Sequence, residues 1–123
     1  MNILTTVAIS IVILLHVLFL ILEMFLWNTP FGRKTFSLTA DFARQSATLA
    51  ANQGLYNGFL AAGLLWGLIG SGGYNALIFF LSCIIIAGVY GAYTATRSIL
   101  FLQALPAALA MALLVLTNQV PNL

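Results

Sequence analysis

Long apolar runs separated by short polar breaks set the rhythm of this chain, and that rhythm predicts helices that cross a membrane. Residues 3–27, 48–69, 74–94 and 99–117 are four such runs, each near the roughly 20 residues that span about 30 Å of hydrocarbon. Asn52, Gln53 and Asn57 interrupt the start of the second run, while Trp27 and Tyr74 stand at run ends, where amphipathic rings favour the headgroup layer.

The breaks carry their own signals. Asn28-Thr29-Pro30 ends the first helix, because proline has no N–H to continue the ladder. Within the long connection 28–47, Ser37 or Thr39 is placed to cap a short amphipathic helix carrying Leu38, Phe42 and Leu49 at the interface. Gly70-Ser71-Gly72-Gly73 reads as a tight uncharged turn, and the chain turns again around Thr96-Arg97-Ser98. Short turns make successive helices antiparallel neighbours. The expected fold is all-α: a transmembrane four-helix bundle forming a single integral membrane domain over residues 1–123.

Composition sharpens this picture. Of 123 residues, 63% are hydrophobic and only 5% charged, whereas about a quarter of a soluble domain is charged. A core this small cannot be shielded from water by so few charges, so a soluble enzyme, a nucleic-acid-binding protein and a disordered segment are excluded. The cations Arg33, Lys34, Arg44 and Arg97 all fall in the first and third connections, against the acids Glu23 and Asp41. By the positive-inside rule, loops 28–47 and 95–98 are expected to be cytoplasmic and both termini outside, in the inner (plasma) membrane. The apolar first run has no basic residue before it, so it reads as a span rather than a cleaved signal. Cys83 is the only cysteine, which excludes an internal disulfide or a paired-thiol redox site.

Helix rise then places the polar residues in depth. Glu23 lies about 6 Å inside Trp27, Asn52 about 6 Å inside Thr48, and Asn57 about 13 Å inside it. Tyr90 sits near the same end of the third helix and Gln103 near that end of the fourth. His16 is deepest and lies seven residues, about 10 Å, from Glu23 on nearly the same face. An ionisable group facing lipid is costly, so such residues turn inward and find partners. The expectation is a polar pocket in the cytoplasmic half, lined by Glu23, Asn52, Gln53, Tyr56, Asn57, Tyr90, Gln103 and His16, that takes a small amphipathic or cationic molecule. The plainer alternative is that Asn52, Gln53 and Asn57 are interhelical clamps. Pro106 is expected to kink the last helix and free the carbonyl of Leu102.

One histidine and two carboxylates make no zinc site, and no phosphate loop, nucleophile elbow or dinucleotide fingerprint occurs, so no metal and no cofactor is expected. The reading leans away from an enzyme. The alternatives are an isomerase or epimerase with His16 and Glu23 as acid and base, or an accessory subunit. Small residues recur at four-residue spacing, as in Gly54/Gly58, Gly63/Gly67, Gly88/Ala92 and Ala104/Ala108/Ala112. Such faces let helix backbones approach within one chain or in a homo-oligomer.

The string HVLFLILEMFLW from His16 to Trp27 resembles the first helix of the bacterial domain of unknown function 1304 family. NQGLYNGFLAAG from Asn52 to Gly63, AGVYG from Ala87 to Gly91 and QALPA from Gln103 to Ala107 are similar to its later helices. The resemblance covers essentially the whole chain and implies a four-span membrane protein of about this length, without implying an activity.

Overall fold

The structure is a computed structural model that describes residues 1–119. The described residues are helical, with five helices and no strand. They are α1 (Ile3–Met24), α2 (Pro30–Phe36), α3 (Ala40–Ile69), α4 (Gly73–Thr94) and α5 (Leu105–Gln119), with a π-helical turn, Leu100–Ala104, leading into α5. Three of these segments, Ile3–Met24, Gly73–Thr94 and Leu100–Asn118, are long and apolar enough to cross a membrane. Large apolar side chains along them, among them Ile3, Leu14, Phe79, Ile86, Leu109 and Leu116, are exposed. An outward apolar surface of this extent is what lipid-facing helices present.

The expected second span differs most from what forms. Instead of a short interfacial helix followed by a new one at 48, α3 is a single helix of 30 residues beginning at Ala40. Thr39 is the cap, as its Oγ1 accepts the Phe42 N–H at 3.1 Å, and Asp41 occupies the positive first turn. No glycine or proline lies between Ala40 and Gln53, so nothing stops the helix once it is capped. Its polar stretch keeps α3 out of the group of strongly apolar helices.

The connection before it holds a second helix. Thr29 Oγ1 accepts from Gly32 N at 3.1 Å, and Pro30 occupies the first turn. Proline thus opens α2, the usual role of proline at a first helical position, whereas α1 already ends at Met24, short of both the expected Trp27 and Pro30. The helix ends at Ser37, whose φ of 55° is left-handed, with Leu38 N–H donating back to the Arg33 carbonyl at 2.8 Å. A Cβ on Gly32 would run into the Leu26 carbonyl oxygen, so only glycine seats α2 against the end of α1.

The described residues gather into two compact units. The first comprises Met1–Leu15 and the described chain from Leu60 onward; the second is His16–Phe59. The core of the first unit is built from Ile9 and Val12 of α1, Leu64 of α3, Leu77, Leu81 and Ile84 of α4, and Ala107, Ala110 and Leu114 of α5. Small residues permit this closeness: Gly63 lies against the Phe80 ring, Gly67 against Leu77 and Gly88 against Ala104. The hydroxyls of Thr5 and Thr117 meet at 3.4 Å, which sets the start of α1 level with the end of α5. Between α3 and α4, the Gly70 and Gly72 N–H groups both donate to the Trp66 carbonyl at 3.1 Å, and Gly73 takes a φ of +61°. This is the tight turn that the glycine run predicts.

Around Pro106 the expected irregularity takes a particular form. The Leu105 N–H reaches back five residues to the Leu100 carbonyl, and Pro106 has no N–H to offer Leu102 in the next position. The wider π turn places Ala104 beneath Gly88, where an added Cβ would lie 2.7 Å from the Ala104 nitrogen. Gly88→Ala should therefore push α4 off the π turn, costing about 1–3 kcal/mol, the usual penalty of overpacking. A thermal melt in detergent followed by circular dichroism checks this, with an unchanged midpoint as the contrary result.

Candidate functional site

The second unit holds the polar chemistry. Here the end of α1 lies antiparallel to α3, since Leu20 meets Gly58, Glu23 and Met24 meet Gly54, and Trp27 meets Ser46. The buried positions of α3 in this unit, Ala43, Ala50, Gly54 and Asn57, recur at helical spacing along one stripe. On α1 the stripe through His16 and Glu23 is buried, as their seven-residue spacing predicts.

Where these stripes meet, Asn57 Nδ2 donates to Glu23 Oε1 at 2.6 Å. Both residues are 7% exposed. Gly54 makes the approach possible, because a Cβ there would fall 3.1 Å from both Glu23 Cβ and the Leu20 carbonyl oxygen. One helical turn away, Gly58 accommodates Leu20. The Gly54/Gly58 spacing thus serves packing within the chain, and its consequence is chemical: it holds a carboxylate and a carboxamide in contact. Asn57 occupies one carboxylate oxygen with one N–H, and a carboxylate can accept several more donors.

His16 is fully buried, its ring edge-to-face with Phe19 at 5.4 Å between centroids. Beyond Glu23, Trp27 Nε1 donates to Ser46 Oγ at 3.0 Å, and Ser46 donates to the Phe42 carbonyl at 2.6 Å. The Trp27 ring also packs on Phe36 of α2 at 4.9 Å. This Trp27–Ser46 latch escapes a reading of the sequence, because nothing in local spacing links residues so far apart in the chain.

The other expected lining residues are placed differently. Asn52, Gln53 and Tyr56 are exposed on α3, with Tyr56 at 61%. They flank the Gly54/Asn57 stripe, and the phase that turns Asn57 inward turns them outward. Tyr90 and Gln103 belong to the first unit. Tyr90 is 69% exposed on the last turns of α4, with Tyr93 nearby and Tyr74 at the opposite end of the helix. That placement is the one aromatic anchors take at the two edges of a bilayer, rather than that of a pocket wall. Gln103 is half-buried in the π turn. Of the eight expected residues, the structure therefore joins Glu23 to Asn57 directly and buries His16 on the same α1 stripe.

No group of three or more His, Cys, Asp or Glu side chains that could hold a metal occurs among the described residues. Cys83 is half-buried on α4, as an apolar filler would be.

A family model described as "Protein of unknown function (DUF1304)" matches residues 10–115. No curated protein and no solved structure matches the chain.

The Glu23–Asn57 bond should be measurable as a coupling. In a double-mutant cycle with Glu23→Ala and Asn57→Ala, the interaction energy is expected at about 0.6–2 kcal/mol, the range for polar contacts between membrane helices. Unfolding by denaturing detergent reads it; full additivity of the two substitutions would mean that the bond adds nothing to stability.

Proposed function

Because the chain belongs to the DUF1304 family of proteins of unknown function, we propose a function from its own chemistry: it binds or transports a small cationic or amphipathic molecule inside the membrane, with Glu23 as counter-charge. The observation that carries the reading is the buried contact between Glu23 and Asn57. A carboxylate in an apolar setting is retained at a cost, and a ligand cation is a partner that offsets it. Asn57 fixes the orientation of the carboxylate, while its unused acceptor capacity is available to an ammonium or other donor. His16, on the same stripe and closed off by Phe19, marks the inner limit of the site. Its full burial weighs against the acid–base alternative, in which it would exchange protons with a substrate.

In this reading α3 is the fourth span, its polar residues lying toward one edge of the bilayer. The chain then resides in a bacterial inner membrane with its termini outside and Arg33, Lys34, Arg44 and Arg97 on the cytoplasmic side. The Thr5–Thr117 contact supports an even number of crossings, because it brings both ends of the first unit to one level. Self-association through small-residue faces remains part of the proposal only for Ala108 and Ala112, which are exposed on α5.

Two measurements test these claims. Tetraphenylphosphonium, a lipophilic cation, should bind the purified protein and lose at least about ten-fold in affinity, or 1.4 kcal/mol, in Glu23→Gln. Equal binding by both proteins, or none by the wild type, refutes the site. For topology, single cysteines placed at Asn28 and Thr96 in a Cys83→Ser background should be labelled from one side of the membrane, and one at Ser71 from the other. Labelling of all three from the same side would overturn the four-span arrangement.

A further inference from the structure

We propose that the elbow formed by α2 and the first turns of α3 is a docking surface for the headgroups of anionic phospholipids. Three of the chain's four cations, Arg33, Lys34 and Arg44, lie on this elbow with one acid, Asp41. Asp41 is already taken, since Arg44 pairs with its Oδ1 at 2.7 Å. Arg33 Nη1 donates only to neutral oxygens, the Asn28 carbonyl at 2.8 Å and Asn28 Oδ1 at 3.2 Å. The rest of its fork is available. Lys34 is exposed, and its ammonium has no ion-pair partner among the described residues. The elbow therefore presents two cations that no acid on it neutralises.

The same segment exposes Phe31, Phe36, Phe42 and Leu49. Cations interspersed with exposed aromatic and aliphatic side chains are the makeup of a surface seated in the headgroup layer, with rings among acyl chains and charges among phosphates. An acidic protein partner would be matched by the charges alone and would leave those rings unexplained. Position agrees, because α2 starts three residues after Trp27, in the turn that follows the apolar α1.

The cations are also held in place. The Thr29 cap, the seating of Gly32 under the Leu26 carbonyl and the packing of Trp27 on Phe36 fix α2, and Trp27 ties α1 to α3 through Ser46. A phosphate therefore meets donors on a structured scaffold, with less ordering left to bear on binding. The inference is independent of the Glu23 reading.

The test uses purified full-length protein exposed to an equimolar mixture of dioleoyl phosphatidylglycerol and dioleoyl phosphatidylcholine, with retained lipid read by native mass spectrometry. Wild type should retain phosphatidylglycerol preferentially, and each cation removed should cut the preference about five-fold. Lys34→Gln alone should lower it, the pair Arg33→Gln/Lys34→Gln should bring it close to parity, and Arg97→Gln, outside the elbow, should leave it intact. Lys34 is exposed and has no ion-pair partner among the described residues, so its substitution tests the idea without threatening the fold. Equal retention of the two lipids by wild type, a preference that survives the double substitution, or one lost on Arg97→Gln would each overturn the proposal.

Discussion

Hydrocarbon offers no hydrogen bonds, so every polar group that α1 carries into it must find a partner on the protein. The bond from Asn57 to Glu23 is where this constraint is sharpest. It fixes the rotational phase of α3 against the end of α1, and that phase decides which other side chains turn in and which turn out. It also explains the two glycines: Gly54 and Gly58 remove the Cβ atoms that would hold the backbones too far apart for a side-chain contact of this length. Packing and polar chemistry are thus one arrangement.

Around that contact the second unit is tied by successively more water-tolerant links. Trp27 reaches Ser46, Thr29 caps α2, and Ser37 takes a left-handed conformation to release the chain toward α3. Apolar burial with one satisfied carboxylate thus gives way to aromatic and hydroxyl contacts and then to exposed charge. A change in surroundings from acyl chains to headgroups to water would favour such a gradient. The first unit shows the complementary strategy. Its core is almost wholly apolar, close approach comes from Gly63, Gly67 and Gly88, and its aromatic residues Tyr74 and Tyr90 lie toward opposite ends of α4.

The family assignment and the apolar helices rest on independent features of the chain. The match over residues 10–115 depends on residue identities, whereas the three membrane-compatible helices depend on length and hydropathy. The helices are compatible with a membrane protein, and neither feature carries an activity. The proposed ligand site therefore rests on Glu23, the one acid that the fold buries, since Asp41 is exposed and paired with Arg44.

The sequence by itself determined the helical class, the apolar character of α1, α4 and the last helix, the glycine turn at 70–73, a cap at Ser37 or Thr39 and the burial of His16 and Glu23 along one stripe. Each of these follows from local periodicity or from the chemistry of a residue and its near neighbours, which are properties of a short window. Tertiary structure decided what no window contains. It chose Asn57, rather than Asn52, Gln53 or Tyr56, to face Glu23, because facing depends on the phase set by contacts with Leu20 and Met24 some thirty residues earlier. It ran α3 back to Ala40, and it met Pro106 with a π turn whose place is fixed by Gly88 on another helix. Thr29-Pro30 reads from the sequence only as a stop; that it opens α2 depends on the burial of Gly32 against the Leu26 and Trp27 carbonyls. Periodicity reports how often a side chain returns to a face; only the neighbouring helix determines which face is the inside.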